Sequence, residues 1–440
     1  MTGFGRIGLA LSALLWMVPA AATTPADDAL TVWAQTHAVV LPACPSISSR
    51  ADFGPIAKMI GEARVVALGE PVHGAHEPLA LRNCLFRYLV EEQGFTAIAI
   101  ESGLHESRRL HDYAAGGPGD VRNLARTGLT WGFGRFPENI ELLEWIRAYN
   151  LDPRHKRKIA FYGIDMSGGD ADGAWARGRV TLDNGIAYLA RAAPLTSEQV
   201  RRSVAPFLAH FSVPGYLRLD GGERMRLRRA IADTLHFFDA NRAVLIEASS
   251  LADYAWARQD IVAARQLQTL FDVSRPPAAD GALSPGDYRA DAARDAAMAE
   301  NARWALERVG ADGRMLLFAH NGHVMNERTR GGIWAAYSRP PAAMGLRLRR
   351  DLGRDMLIIG TSSDGGGGGK AIKPGTIDAL LASAGMPHFV IDFRSAAPAW
   401  LFRDQSISVN YDTENVIRPR QAFDGLVFFD RLTPSHWFNR

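Results

Sequence analysis

The sequence predicts an α/β fold: a mostly parallel central sheet flanked by helices, with a helical insertion forming a cap over the strand carboxyl ends. Three observations carry this reading. Residues 64–100 run strand, helix, strand at βαβ spacing, which calls for parallel pairing. Four apolar runs stop at an acid or a histidine instead of an ordinary polar turn: Val65–Leu68 at Gly69-Glu70-Pro71-Val72-His73-Gly74, Ala97–Ile100 at Glu101, Ile159–Ile164 at Asp165, and Met315–Ala319 at His320-Asn321-Gly322-His323. Finally, the stretch from Asp170 to about Val273 shows helical periodicity and no convincing strand.

The elements follow in order. A short helix is expected over Asp28–His37, then a Pro- and Ser-bearing loop over Leu41–Ser49. Strand Arg64–Leu68 leads through the Gly69–Gly74 loop into a helix over Glu77–Gln93, where Leu81, Leu85, Tyr88 and Leu89 share one face and Gly94 caps the end. Strand Thr96–Ile100, helix Asn139–Tyr149 and strand Lys158–Ile164 continue the alternation. The insertion at about 170–275 carries amphipathic patterns at Glu223–Asn241 and Leu251–Phe271. The Pro-, Gly- and Ala-rich loop Pro276–Gly286 then returns the chain to a helix over Asp287–Leu306. Strands at Arg314–Phe318, Asp355–Gly360, His388–Phe393 and Gly425–Phe429 complete the sheet.

Bulk properties narrow the class. At 440 residues with 47% hydrophobic content the chain can bury a large core. A formal charge of +3, with arginines scattered among acids, argues against a nucleic-acid surface. The first 22 residues read as a signal peptide: Arg6, the apolar run Ile7–Val18, then Pro19-Ala20-Ala21-Ala22, which suits signal-peptidase cleavage. That run is shorter than the ~20 residues of a spanning helix, and no later segment is long enough, so a periplasmic or secreted protein with no integral membrane segment in its mature part is expected. An oxidising compartment permits Cys44 and Cys84 to pair, although two buried thiols would fit the sequence equally well. Nothing in the sequence indicates an oligomeric state.

In an open α/β sheet, side chains that follow different strands converge in the crevice beyond the carboxyl ends. Here the converging set is Glu70, His73, Glu101, Asp165, His320 and His323. Singly, each has an ordinary reading: Glu70 as a loop acid, His73 as a helix cap, Asp165 as an N-cap or Asx-turn residue. Jointly they describe proton-transfer chemistry, since a histidine held by carboxylates is suited to take a proton from water. His73 with Glu70 or Glu101 fits that role. His320 and His323 could donate to an oxyanion or to a leaving oxygen. Arg82, nine residues after His73, could neutralise the acids or face an anionic transition state.

Other chemistries fit less well. No Gly-x-Ser-x-Gly elbow occurs around Ser167 or Ser362, which disfavours a serine hydrolase. His105-Glu106 opens like a zincin helix, but His111 falls off the ligand face. The glycine run Gly365–Gly369 before Lys370 has Asp364 where a phosphate loop needs glycine and Ala371 where it needs Ser or Thr, so a flexible surface loop is expected. A metal-assisted hydrolase using His and Glu from separate strands stays open at this point.

The motifs Gly69-Glu70-Pro71-Val72-His73-Gly74, Gly94-Phe95 with the strand ending in Glu101, Tyr162-Gly163-Ile164-Asp165, and Ala319-His320-Asn321-Gly322-His323-Val324 resemble the erythromycin esterase family in order and spacing. Weaker matches at Trp145–Asn150, Arg294–Trp304, Met344–Gly353 and Phe423–Val427 extend the resemblance over nearly the whole mature chain. It implies hydrolysis of a small-molecule ester or macrocyclic lactone by a histidine-activated water, with no covalent serine intermediate, no cofactor and no obligatory metal. His73 would be the base, Glu70 and Glu101 its orienting acids, Arg82 an electrostatic partner, His320 and His323 further catalytic or positioning groups, and Asp165 a supporting acid behind them. Val72 departs from the Ser or Thr that members often carry before the histidine. Two alternatives stand beside this: a metal- or haem-binding module built on the same His and Glu cluster, and an envelope protein of polysaccharide metabolism. Macrolide resistance is compatible with an exported esterase, as is scavenging of other esters.

Overall fold

A computed structural model describes residues 25–49, 51–169, 175–275, 288–364, 372–395, 398–409 and 413–436. The leader expected over residues 1–22, the loop at 276–286 and the glycine run at 365–369 lie outside the described residues. Among the described residues there are ten strands: β1 (Val39–Val40), β2 (Val65–Glu70), β3 (Ala97–Gly103), β4 (Ala160–Asp165), β5 (Met315–His320), β6 (Met356–Ser363), β7 (Phe389–Asp392), β8 (Gln405–Val409), β9 (Thr413–Ile417) and β10 (Gly425–Phe429). Eight form one sheet in the order β1-β7-β10-β6-β2-β5-β3-β4, and β8 and β9 form a separate hairpin. Every pairing from β10 through β4 is parallel, while β7 runs antiparallel to both β10 and β1. The sheet is therefore mostly parallel, with its exception at one margin.

Strand alternation divides the interior into two layers. Val66, Leu68, Ile98, Ile100, Leu316 and Phe318 face the helices Gly54–Ile60, His76–Gln93 and Pro137–Leu151. The intervening Val65, Ala67, Ala97, Ala99, Met315 and Leu317 face Tyr288–Val309, Met344–Leu352 and Ile377–Ala382. The period of two thus puts apolar groups on both faces, as a sheet covered on both sides requires. Gly94 ends its helix in the left-handed region at φ 68°.

Between β4 and β5 the described residues hold helices and no strand. The helix Gly221–Ala240 starts on a reciprocal capping box between Asp220 and Glu223, and Leu251–Val273 starts on Ser250. These helices bury a third apolar cluster around Leu227, Phe238, Ile261 and Phe271. The cluster reaches Met166, just past the end of β4, which seats this layer over the strand carboxyl ends. Two helices between β3 and β4 escape an apolar-periodicity reading, Leu104–Ala114 and Val121–Gly128, because they are short and carry few large apolar residues. The β8–β9 hairpin escapes it too, since Gln405-Ser406-Ile407-Ser408-Val409 alternates polar and apolar without the long run that marks a buried strand. Cys44 and Cys84 form a disulfide with Cα atoms 6.2 Å apart, tying the loop after β1 to the helix after β2. Among the described residues no helix is long and apolar enough to cross a membrane.

Candidate active site

Strand order decides which ends meet. β5 lies between β2 and β3, so Glu70 pairs in register with His320, and Glu101 follows Ile100, the partner of Phe318. Glu101 Oε2 accepts the His320 backbone N–H at 2.9 Å. In the loop after β2, His73 Nδ1 donates to Glu70 Oε1 at 2.6 Å, and its ring lies 5.1 Å from both the His320 and the Phe133 rings. Gly74 sits at φ 77°, where an added Cβ would fall 2.9 Å from the Phe136 ring, so glycine lets the loop close against that aromatic. The chain's final described segment clamps the same loop, with the Ser435 N–H donating to the Gly74 carbonyl and the His76 N–H to that of Thr433, both at 2.8 Å.

The tautomers follow from the partners. A backbone N–H can only donate, so the Gly322 N–H, 3.2 Å from His320 Nδ1, makes that atom an acceptor and places the neutral ring's proton on Nε2. His320 Nε2 is buried toward the Pro71 carbonyl without a hydrogen bond of good geometry. Burial and the neighbouring His73 push the His320 pKa down to about 3, so this ring is neutral across the physiological range. His323 is the opposite case. Its burial favours the neutral form, but Asp295 at 3.0 Å from Nδ1 and Glu101 at 3.4 Å from Nε2 outweigh it and lift the pKa to about 9. For His73, burial likewise pulls downward, and Glu101 and Glu70 together raise the pKa above its ordinary value.

The carboxylates are balanced by an arginine at the start of the weaker match Arg294–Trp304. Arg294 Nη2 donates to Glu101 Oε1 at 2.8 Å and to Asp165 Oδ2 at 2.7 Å. Asp165 is completely buried and also accepts from the Trp131 indole at 2.8 Å and the Met166 backbone N–H at 2.7 Å. Burial alone would raise the pKa of Glu101, yet His323, His73 and Arg294 hold it well below the usual carboxylate range. Glu70, His73, Glu101, His320 and His323 thus share one crevice, with Asp165 behind Glu101 through Arg294. Arg82 stands apart from the open side. Its guanidinium donates to Asn83 Oδ1, lies 4.9 Å from the Phe318 ring centroid, and is 1% exposed. Burial lowers its pKa to about 10, and Glu70 is its strongest charged neighbour, so of the two roles open to Arg82 its packing serves neutralisation of an acid.

Arg294, Asp295, Trp131 and Phe133 were not among the candidates read from sequence. A signal exists for the first two: an adjacent Arg-Asp pair flanked by alanines in Ala292-Ala293-Arg294-Asp295-Ala296-Ala297 places opposite charges where a helix packs closely. Among the described residues no three His, Cys, Asp or Glu side chains are arranged to hold a metal ion.

An α/β protein with paired imidazoles and carboxylates at the strand ends has the equipment for moving protons around a polar bond. The sequence profile of the erythromycin esterase family matches residues 90–432, and the chain belongs to that family. It is 27% identical over 331 residues to the type II erythromycin esterase of Escherichia coli, covering 72% of each chain. A crystal structure of a Bacillus cereus protein superposes with a TM-score of 0.76 at 25% identity, covering 94% of this chain and 99% of the other. A mutant erythromycin esterase in its open conformation gives 0.69 at 17% identity, over 92% and 100%, and shares the fold. Family membership supports hydrolase activity.

Proposed function

We propose that this protein is a carboxylic ester hydrolase in which His73 activates water. The observation that carries the reading is the His73–Glu70 hydrogen bond of 2.6 Å, which commits Nδ1–H to the carboxylate and leaves Nε2 as the basic atom. Among the described residues, Nε2 of His73 has no hydrogen-bond partner. In the reaction, water oxygen bonds to the ester carbonyl carbon while His73 Nε2 takes its proton. The resulting oxyanion is met by the charge of the His323 imidazolium. The carbon–oxygen bond to the alcohol then breaks, and a proton from His323 or His73 neutralises the leaving alkoxide. Asp295 and Glu101 keep His323 charged, Arg294 holds Glu101 in place, and Arg82 offsets the charge of Glu70 from beneath.

No metal enters this scheme, because Glu101 is already committed to Arg294 and the His320 N–H. Turnover is expected to withstand chelation. The substrate class includes macrocyclic lactones, on the strength of the names its relatives carry. Export is proposed with it, supported by the leader-like first 22 residues and by the Cys44–Cys84 disulfide. Recovery of only full-length, cytoplasmic protein would overturn that part. The catalytic proposal is tested by hydrolysis of simple aryl esters and erythromycin by the wild type and by His73→Ala. The substitution is expected to lower kcat by at least about a hundred-fold, the usual contribution of a general base, with little change in fold. Unchanged turnover in the variant would refute the mechanism.

A further inference from the structure

Beside the crevice lies a cavity of about 1480 Å³ that the scheme above leaves without a role. It is lined by Arg109 from the helix after β3, Arg122 and Arg126 one turn apart on the next helix, Arg135 from the following turn, and Arg177 from the helical layer. Two acids share the lining, Glu106 and Asp120. Glu106 Oε1 accepts the Gly168 N–H at 2.6 Å, and burial raises its pKa. Asp120 accepts the Asn123 N–H as a helix cap. His105, also on the wall, is paired to Asp260 at 2.7 Å, which uses up that acid. Arg109 and Arg126 are exposed and make no hydrogen bond or ion pair among the described residues. Among the described lining residues arginines outnumber acids, five to two.

The cavity and the crevice share one partition, residues 130–135. Trp131 lines the cavity while its indole N–H holds Asp165, and its ring lies 5.1 Å from the Arg294 guanidinium. Thr130 lines it while accepting the Gly103 N–H at the end of β3. Phe133 packs on His73, and its neighbours Gly134 and Arg135 face the cavity. Trp131 has φ 60°, a left-handed backbone that a bulky side chain adopts only when its surroundings impose it, as they often do at functional sites.

Building on the ester-hydrolase reading, we propose that the substrate is a large anionic ester whose carboxylate or phosphate groups bind Arg109 and Arg126 in this cavity while its ester bond lies at His73. Guanidinium groups match both anions bidentately. The volume exceeds the roughly 300–1,000 Å³ of ordinary small-molecule pockets, which suits an oligomeric acid better than a simple ester. An amine-bearing macrolide would meet like charge there.

The test uses the full chain and the double variant R109Q/R126Q, neither residue being part of the catalytic cluster. Citrate and inorganic pyrophosphate are titrated by calorimetry at low salt. Binding to the wild type is expected, weakened about ten-fold or more in the variant and largely screened at about 0.5 M NaCl. Citrate alone binding identifies carboxylate recognition, pyrophosphate alone identifies phosphate, and both support the cavity. Acetate release is then followed from acetylated oligogalacturonate and from an acetylated neutral galactan. The variant should raise KM for the acidic ester about ten-fold with kcat and the neutral ester unaffected. Absence of anion binding by the wild type overturns the proposal, as does binding with no difference in KM. Anion binding with no turnover of any ester, aryl esters included, refutes the hydrolase reading and with it the substrate assignment, leaving an anion site.

Discussion

Replacing Asp295 by asparagine removes one negative charge from His323 while keeping an oxygen where both the His323 Nδ1–H, at 3.0 Å, and the Met344 N–H, at 2.7 Å, can find it. In the wild type His323 has a pKa of about 9, because Asp295 and Glu101 outweigh burial. If the imidazolium is the charged partner of the oxyanion, the pH–rate profile is a bell. Its rising limb comes from loss of the proton on His73, above that ring's ordinary pKa, and its falling limb from loss of the proton on His323 near 9. Asp295→Asn should drag the falling limb toward neutrality. Were the pKa to return fully to roughly 6.5, the charged fraction at pH 8 would drop from about nine-tenths to about one-thirtieth, nearly a thirty-fold loss of kcat. If Glu101 retains half of the effect, the loss is roughly two- to three-fold. The assay is kcat against pH for an aryl ester, with the His323 ring titrated by NMR in both proteins. A ring pKa that falls while the alkaline limb stays near 9 would refute the role of His323. The same linkage has a stability sign. His323 has a higher pKa folded than unfolded, so its contribution is complete below about 6.5 and is lost as pH rises through about 9. The wild type should therefore lose Tm across that window more steeply than Asp295→Asn.

Other perturbations probe the supports. Arg294→Met strands the buried Glu101 and Asp165 carboxylates and should cost about 3–5 kcal/mol in urea unfolding, with Arg294→Lys recovering part; a loss below about 1 kcal/mol would show that the two acids do not depend on it. Gly69→Ala sets a Cβ 2.1 Å from Asn321 Oδ1 and 3.2 Å from Asn321 Cα. It should break the Asn321–Thr361 bridge that fixes the turn between His320 and His323, lowering stability by about 1–3 kcal/mol and kcat with it. Wild-type kcat and Tm in this variant would show that the turn does not depend on that bridge. Reduction of the disulfide, or Cys84→Ser, opens a loop closed over a separation of 40 residues and should cost up to about 4 kcal/mol by loop entropy, read as a shift in the urea midpoint with activity retained in the folded protein. An unchanged midpoint would show that the bridge adds no constraint.

Much of this site is legible along the chain. Each of β2, β3, β4 and β5 is a buried run closed by a group too polar for a core, and the place where hydrophobic alternation stops locates a strand's carboxyl end to within a residue or two. Glu70, Glu101, Asp165 and His320 are therefore readable as strand ends, and the loop after β2 and the helical turn Asn321–Val324 after β5 carry His73 and His323 with them. Val72 is buried in the same apolar layer as Leu68, so its side chain serves packing. β7 could not be oriented from its sequence, because an apolar run reads the same in either direction; its antiparallel pairing with β10 is a tertiary outcome.

Local pattern determined which residues close the strands and which runs are buried, since both depend only on neighbours two to four positions away. The folded chain decided the chemistry among them. Insertion of β5 between β2 and β3 makes Glu70, His320 and Glu101 adjacent, although 219 residues separate Glu101 from His320. Protonation was likewise settled by distant contacts: Asp295 and Glu101 keep His323 charged, while burial against His73 keeps His320 neutral. Two histidines three residues apart carry the same intrinsic pKa in the sequence and opposite charge states in the fold, because the electrostatic field at each ring comes from side chains that only the tertiary structure brings near.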